Sequence, residues 1–248
     1  MVGEQGIPVE DIQIPNVESV YDTKQLIVEE HFTGIELSPE WEWVRHPVEG
    51  GFGLSQEGLR IDCKPFIPFG LQSTLILTRR GRNYGFEAKT KILFNPVSKG
   101  EEAGITLYRD SDAFLFLSIR RGIGQTSGQA FDVTKLHENQ EYDGLYIELD
   151  QYVNVSKKIL ARIALPIESG DTVWLRVKLD ERSQTFTFYY SVDDIVFTNM
   201  GIEQDFCIQN AIHGFCVLQL PELGFMRKAY TGNRKIQHFF QKFSIRGI

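Results

Sequence analysis

Glu148 and Asp150 lie two positions apart in the sequence, a spacing that could serve catalysis by a pair of carboxyl groups. Hydrolysis of a glycosidic bond requires two carboxyl groups beside the bond, one as acid and one as nucleophile or base. A strand with the pattern Glu-x-Asp-x-Glu would place three acids on one face, because side chains alternate along a strand. Here the third position is Tyr152, so the pattern is broken. The sequence therefore favours two solvated acids at the end of a strand over a catalytic pair.

Other patterns for catalysis or metal binding are weak or absent in the sequence. It contains no Gly-x-Ser-x-Gly elbow, no phosphate-binding loop and no Cys/His cluster, and its 5 His are dispersed. We interpret Glu101 and Glu102 as charges at the rim of the domain. Glu29, Glu30 and Asp112 have the oxygen ligands that calcium prefers, but their spacing is not diagnostic. We therefore predict no catalytic residues, no metal and no cofactor.

Composition restricts the class of partner. The chain has 248 residues, 42% of them hydrophobic and 18 of them Phe, which suffices for a sizeable core in one large or two small domains. Its net charge of -7 argues against nucleic acid as a partner, because phosphate binding needs a basic face. No run approaches the roughly 18 apolar residues of a membrane-spanning helix, so we predict no membrane partner.

The N-terminal residues and the cysteines bear on the cellular compartment. Residues 1–15 lack a basic region followed by an apolar region, so no signal peptide is visible and a cytoplasmic location is expected. The 3 cysteines, Cys63, Cys207 and Cys216, are too few and too scattered for a disulfide framework. Cys207 and Cys216 could pair, but their context fits buried thiols equally well, and we favour thiols.

The stretch from Gly100 to Arg121 predicts the central element of the fold. Two apolar, aromatic-rich runs, 103–108 and 113–119, are separated by four residues that include two Asp and one Ser. Each run has about the length of one strand, and Asp and Ser are typical of turns. Because both runs are apolar at nearly every position, we expect a hairpin in the middle of a two-layer core.

The rest of the chain predicts further antiparallel strands. Residues 84–94 alternate between apolar and charged side chains, which is typical of a half-buried strand. Residues 171–181 and 184–191 read as a hairpin with a turn at Arg182 and Ser183. One or two helical turns are predicted at 202–209. We expect about a dozen strands and almost no helix, that is, an all-β sandwich of two antiparallel sheets over residues 25–248, preceded by an N-terminal arm or linker remnant at 1–24.

Several segments resemble the C-terminal β-sandwich domain of family 43 glycoside hydrolases, the β-xylosidases and arabinofuranosidases. The matching segments, in this order, are HFTGIELSPEWEWVRHP, GLRI, QSTLILTRRGRNYGFEAKTKILFNP, GEEAGITLYRDSDAFLFLSI and VWLRVKLDERSQTFTFYYSVDD. Together they cover most of 32–248. The resemblance implies a concanavalin A-like jelly roll. The family's catalytic part, a five-bladed propeller, would precede this domain, and the first 24 residues leave no room for it.

The resemblance implies a non-catalytic carbohydrate-associated module that binds sugar or supports a glycosidase. Its partner would be a xylan- or arabinan-type saccharide or a glycosidase catalytic domain. Two alternatives stay open: a glycoside hydrolase of xylosidase or arabinofuranosidase type with a site of its own, and a structural or protein-interaction sandwich without sugar affinity.

The candidate ligand-binding residues are placed by the resemblance and by sugar chemistry. In xylosidase-like members, a Phe in the segment matching 68–73 reaches into the pocket of the catalytic domain; Phe69 aligns best, and Phe66 competes because two extra residues shift the register. Aromatic rings stack on the apolar face of a sugar, and Arg binds its hydroxyls. The full candidate set is Phe69, Phe66, Arg79, Arg80, Trp41 and Tyr108. The alternative is that Trp41 and Tyr108 are core residues and that the two Arg cap a strand surface.

Overall fold

The described part of the chain consists of eleven ranges of residues. The computed structural model describes residues 27–47, 49–62, 76–80, 85–96, 101–110, 113–122, 144–153, 156–165, 172–205, 222–228 and 237–247. The predicted arm at 1–24 lies outside these ranges, as do all three cysteines, Phe66, Phe69 and Asp112. Of Arg80 and of residues 222–228 the structure describes the backbone.

Fifteen strands, and no helix, are found in the described residues, which confirms the predicted all-β class. The strands are β1 (Ile27–Glu30), β2 (Trp41–Trp43), β3 (Phe52–Ser55), β4 (Gly58–Asp62), β5 (Leu77–Arg80), β6 (Phe86–Leu93), β7 (Glu102–Asp110), β8 (Ala113–Arg121), β9 (Leu145–Val153), β10 (Ser156–Ala164), β11 (Thr172–Leu179), β12 (Thr185–Ser191), β13 (Thr198–Asp205), β14 (Glu222–Lys228) and β15 (Gln237–Gly247). Among the described residues there is accordingly no helix that could cross a membrane.

The strands form two antiparallel sheets. The eight-stranded sheet has the order β13-β12-β11-β6-β15-β4-β3, and β1 also pairs with β15. The seven-stranded sheet has the order β10-β9-β8-β7-β14-β5-β2. β7 is thus the middle strand of its sheet, and β8 pairs with it from Glu102 opposite Arg120 to Tyr108 opposite Phe114. The predicted central hairpin is confirmed.

A hydrophobic core lies between the two sheets, because each sheet places alternate apolar residues on one face. On β6, Phe86, Ala88, Thr90 and Ile92 are fully or almost fully buried, while the intervening residues are only partly buried. β11 shows the same pattern, and its apolar residues join the same core cluster. The predicted alternation in 84–94 is therefore confirmed, and burial of these side chains is the main source of stability.

The hairpin of β11 and β12 is also confirmed, with the turn where the sequence places it. The Asp180 carboxylate accepts hydrogen bonds from the backbone N–H groups of Arg182 (3.0 Å) and Ser183 (2.8 Å), which holds the turn. The helical turns predicted at 202–209 are wrong for residues 202–205. These residues complete β13, where Glu203 lies opposite Thr187 of β12. Pairing with a neighbouring strand outweighs the local helical pattern, and 206–209 lie outside the described residues.

Candidate functional site

The outer face of the seven-stranded sheet, which points away from the other sheet, carries a cluster of charged side chains. Its position follows from alternation: Ala103, Ile105 and Leu107 of β7 belong to the core between the sheets, so the residues between them point outward. The register of β7, β8, β9 and β10 then sets outward residues side by side across four strands. We call the following residues the ionic cluster: Glu102, Arg120, Glu148, Asp150, Lys157 and Arg162.

Glu148 is the centre of the ionic cluster. Its Oε1 accepts hydrogen bonds from Arg120 Nη1 (3.0 Å) and Lys157 Nζ (2.7 Å), and its Oε2 accepts one from Arg162 Nε (2.6 Å). The side chain is completely buried. Burial by itself would raise the pKa of Glu148, but the positive charges of Lys157, Arg120 and Arg162 together outweigh it and lower the pKa to about 2. Glu148 is therefore a carboxylate anion at neutral pH.

Asp150 differs from Glu148 although the two lie on the same strand and are equally buried. Its described ion-pair partner is Lys157, whose Nζ lies 2.6 Å from Oδ2. Burial raises the pKa of Asp150 to about 8, and the negative charge of Glu148 adds to the rise, while Lys157 opposes it. The two neighbouring acids thus have pKa values that are displaced in opposite directions.

Three acids of the ionic cluster lie close enough together to hold one metal ion. One carboxylate oxygen from each of Glu102, Glu148 and Asp150 lies within 4.8 Å of the others, a set that hard cations such as calcium prefer. However, three cationic side chains, Arg120, Lys157 and Arg162, lie among the three acids, so the ionic cluster carries no excess of negative charge. The Lys157 ammonium lies within hydrogen-bonding distance of both Glu148 and Asp150, in the position that a shared cation would need. The donor set is therefore electrically satisfied by the chain's own residues and does not favour a metal.

Two interpretations made from the sequence are wrong at this site. Glu148 and Asp150 are not solvated acids at a strand end: they are buried in the middle of β9. Glu101 and Glu102 are not rim charges either, since both are completely buried. The sequence signal that was missed is the matching placement of Arg120 on β8 and of Lys157 and Arg162 on β10. Each of these cations lies at an outward position of a strand that adjoins β9.

An aromatic cluster adjoins the ionic cluster on the same face and contains Tyr108. Phe114 and Tyr152 stack with ring centroids 4.3 Å apart and planes 14° apart, and Tyr108 packs on Phe114 at 5.9 Å. Ile76 and Phe116 complete the buried set. Tyr108 is 7% exposed, which fits the core packing weighed as the alternative to sugar stacking. Ligand binding by Tyr108 stays a prediction.

Trp41 and Arg79 lie in a different place from Tyr108. Trp41 is 6% exposed and belongs to the core between the sheets, where it packs on Phe32 at 5.3 Å. The guanidinium of Arg79 lies 5.8 Å from the Trp41 ring centroid and forms an ion pair with Glu40. The structure thus brings these two candidates together but separates them from Tyr108. Their role in binding stays a prediction.

The remaining candidates are Arg80, Phe66 and Phe69, and the structure describes none of their side chains. The backbone of Arg80 pairs with Glu222 of β14. Phe66 and Phe69 lie outside the described residues, between the end of β4 at Asp62 and the start of β5 at Leu77.

Comparison with known proteins identifies the family of this chain. Residues 29–213 match the family model of the beta xylosidase C-terminal concanavalin A-like domain. The chain belongs to this family. The resemblance stated from the sequence is therefore confirmed, and with it the concanavalin A-like sandwich.

Individual known proteins are similar to the chain in sequence or in fold. The chain is 26% identical over 170 residues to a putative beta-xylosidase of Escherichia coli (strain K12), an alignment that covers 65% of this chain but 27% of the relative. It is similar in fold to the GH43 protein BlXynB from Bacillus licheniformis, with a TM-score of 0.68, 19% identity, and coverage of 89% of this chain and 39% of the other. For the Bacteroides ovatus xyloglucan PUL GH43B the TM-score is 0.70 at 18% identity, with coverage of 100% and 44%. The chain thus spans less than half the length of these relatives.

Proposed function

We propose that this chain is the accessory domain of a glycoside hydrolase that acts on xylan-type saccharides, and that it supports the catalytic domain without turnover of its own. Family membership supports the association with a glycosidase. Coverage of the relatives supports the accessory role, since 27% of the Escherichia coli protein and 39% of the Bacillus licheniformis protein match this chain. The larger part of each relative has no counterpart in these residues.

The burial of the carboxyl groups in the ionic cluster and their contacts with cations support the proposed absence of turnover. A glycosidase needs one protonated acid and one free carboxylate that face the sugar. Both oxygens of Glu148 are held by cations, and the carboxyl group of Asp150 contacts the Lys157 ammonium at 2.6 Å. Neither acid is exposed. A substrate would have to displace these buried ion pairs, which is costly.

Hydrolysis of aryl β-xylosides and aryl α-arabinofuranosides by the purified chain tests this half of the proposal. We expect a rate equal to that of the buffer blank. Glu148→Gln is the matched variant, because it removes the charge while keeping the size of the side chain. Turnover by the unchanged chain that is lost in Glu148→Gln would refute the accessory role.

A second candidate function, hydrolysis at a site of the chain's own, is favoured by one observation. The pKa of Glu148 is lowered and that of Asp150 is raised, and paired acids with pKa values pushed apart are typical of acid and base assignments in active sites. In that case the rate should fall on both sides of a pH optimum between the two pKa values. The same aryl glycoside assay, repeated across pH, distinguishes the two functions.

Co-purification tests the partner half of the proposal. A tagged form of the chain, produced in the organism that encodes it and bound to an affinity column, should retain a glycosidase with xylosidase or arabinofuranosidase activity from the cell extract.

From the family resemblance we propose that Phe69 contacts this glycosidase, with Phe66 as the competing candidate. Phe69→Ala should lower the retained activity while the melting temperature of the chain stays nearly unchanged. If neither Phe69→Ala nor Phe66→Ala changes retention, this contact is wrong. If no glycosidase activity is retained at all, the structural or protein-interaction alternative gains support.

A further inference from the structure

The outer face of the eight-stranded sheet is a second surface with alternating charged and aromatic side chains. On β6 and β11 the residues between the core positions point outward, and they are partly exposed. The register places Trp174 of β11 opposite Lys91 of β6, and Lys91 opposite Lys242 of β15. One aromatic ring and two ammonium groups thus lie in a row across three adjacent strands, about 5 Å apart from strand to strand.

This face is rich in cations, although the chain as a whole has a net charge of -7. Three of its cations have carboxylate partners: Lys89 with Asp194 (2.8 Å), Lys242 with Glu29 (3.0 Å) and Arg176 with Glu87 (3.9 Å). Lys91 has no carboxylate partner among the described residues. Like charges that lie directly opposite on neighbouring strands repel each other. Lys91 is therefore a cation on this face that lacks a described carboxylate partner, and it lies opposite a second cation, Lys242, whose charge Glu29 compensates, so an anionic ligand would neutralise Lys91.

Trp174 is a partly exposed aromatic residue on this face. The rings of Tyr189 and Phe197 both contact the guanidinium of Arg176, with ring centroids at 4.5 and 4.0 Å, so that Arg176 already occupies them. The described cation contact of Trp174 is with Lys91, whose Nζ lies 5.5 Å from the ring centroid. A lysine side chain is flexible and strongly hydrated, so it can turn aside from the ring while keeping its charge nearby.

We propose that Trp174, Lys91 and Lys242 bind a saccharide that carries carboxylate groups, specifically a xylan with glucuronic acid side groups. The indole ring stacks on the apolar C–H face of a sugar unit, the Lys91 ammonium binds the carboxylate, and Lys242, which also pairs with Glu29, lies beside it as a second donor. Charge complementarity selects this ligand over neutral xylan. The site lies on the other sheet from the ionic cluster. The choice of xylan as the backbone of the ligand rests on the function proposed above, whereas the preference for a carboxylate rests on the charges of this face.

Binding of the full chain to glucuronoxylan, measured by affinity electrophoresis and by calorimetry at low salt, tests the proposal. Carboxyl-reduced glucuronoxylan is the matched ligand, because it has the same backbone without the charge. We expect about tenfold weaker binding to the reduced polymer and about tenfold weaker binding by Trp174→Gln to both polymers. Lys91→Gln should weaken binding severalfold to glucuronoxylan and leave binding to the reduced polymer unchanged.

Lys158→Gln is the control variant, because Lys158 is an exposed lysine on β10 of the other sheet and its loss changes the net charge equally. Thermal unfolding verifies that each variant is folded. If Trp174→Gln does not fold, Trp174→Phe and Lys91→Gln carry the test, with Phe retaining most of the binding. The proposal is overturned if the unchanged chain does not bind glucuronoxylan, if Lys158→Gln weakens binding as much as Lys91→Gln, or if polyglutamate binds equally and independently of Trp174. None of these outcomes affects the aryl glycoside or co-purification assays.

Discussion

The two outer faces of the sandwich have similar residue types, but the carboxylates on them differ in their exposure to water. On the seven-stranded sheet, Glu148 is completely buried and its cations Lys157 and Arg162 are 24% and 26% exposed. On the eight-stranded sheet, the ion pair of Lys89 and Asp194 has exposed fractions of 29% and 39%. Charged residues on an outer face therefore stabilise the fold where the surrounding chain shields them from water. They are available to a ligand where water reaches them.

The difference also has an energetic meaning. A buried carboxylate is retained only because its partners compensate for the loss of water, so removing one partner leaves the others uncompensated. An exposed pair gives up little water and is screened by salt, so it contributes little to stability. Substitutions on the two faces should therefore have effects of different size, which allows the comparison to be tested.

The largest effect is expected from Glu148→Ala. It leaves Arg120, Lys157 and Arg162 without their shared carboxylate in a buried place, and we expect a loss of about 3–5 kcal/mol in the free energy of unfolding. Urea denaturation measures it. A loss below about 1 kcal/mol would mean that the cluster is hydrated and that the contrast between the two faces is wrong.

Gly104→Ala should be the next most damaging change, because β7 and β8 approach closely at this outward position. A Cβ atom on Gly104 would lie 2.0 Å from the carbonyl oxygen of Leu117, a backbone atom that cannot move aside alone. We expect a loss of about 3 kcal/mol. Gly53→Ala on β3 is the control, since its Cβ would meet only the flexible Arg60 guanidinium at 3.4 Å. Equal losses for the two variants would contradict the close approach.

The pH dependence of stability should reveal Asp150. Burial and the charge of Glu148 raise its pKa to about 8 in the folded chain, so between pH ~4 and ~8 the folded state holds a proton that the unfolded state has released. This stabilisation is complete below pH ~4, decreases between pH ~4 and ~8, and is absent above ~8. Asp150→Asn cannot ionise, and its stability relative to the unchanged chain should therefore rise by about 1.4 kcal/mol for each pH unit between ~5 and ~8.

Ionisation of Glu148 does not contribute to the change in stability between pH ~5 and ~9. Its pKa is lowered to about 2, so the stability that it contributes is lost only as the pH falls from its ordinary value of 4.5 towards 2. That window lies below the one for Asp150. Parallel stability curves for the unchanged chain and Asp150→Asn between pH ~5 and ~9 would show that Asp150 is ionised throughout, held so by Lys157.

The smallest effect is expected on the eight-stranded sheet, from Asp194→Asn. The ion pair with Lys89 is exposed, and Asn also tolerates the positive φ of 61° at this position. We expect a change below about 0.5 kcal/mol that becomes smaller still in high salt. Thermal unfolding at low and high salt measures it. A loss comparable to that of Glu148→Ala would remove the distinction between the faces.

Much of the fold could be predicted from local patterns. Alternation in 84–94 identified β6 and its buried face, and the two apolar runs around residues 109–112 identified the hairpin of β7 and β8. These predictions succeed because the strand period and the turn residues are local properties of the chain. The helical turns at 202–209 failed where pairing with β12 decided the conformation.

The candidate site could be predicted only in part. Local patterns in the sequence suffice to predict that Glu148 and Asp150 share a strand face, that the chain is all-β, and that its segments match one family. The burial of this face and the contacts of Arg120, Lys157 and Arg162 with Glu148 depend on how the strands assemble. Alternation along a strand determines which side chains share a face. The register between strands that are distant in sequence determines which charged side chains become neighbours, and the surrounding chain determines whether water reaches them. Those two quantities control the pKa values and the energies of the cluster, and neither is a local property of the sequence.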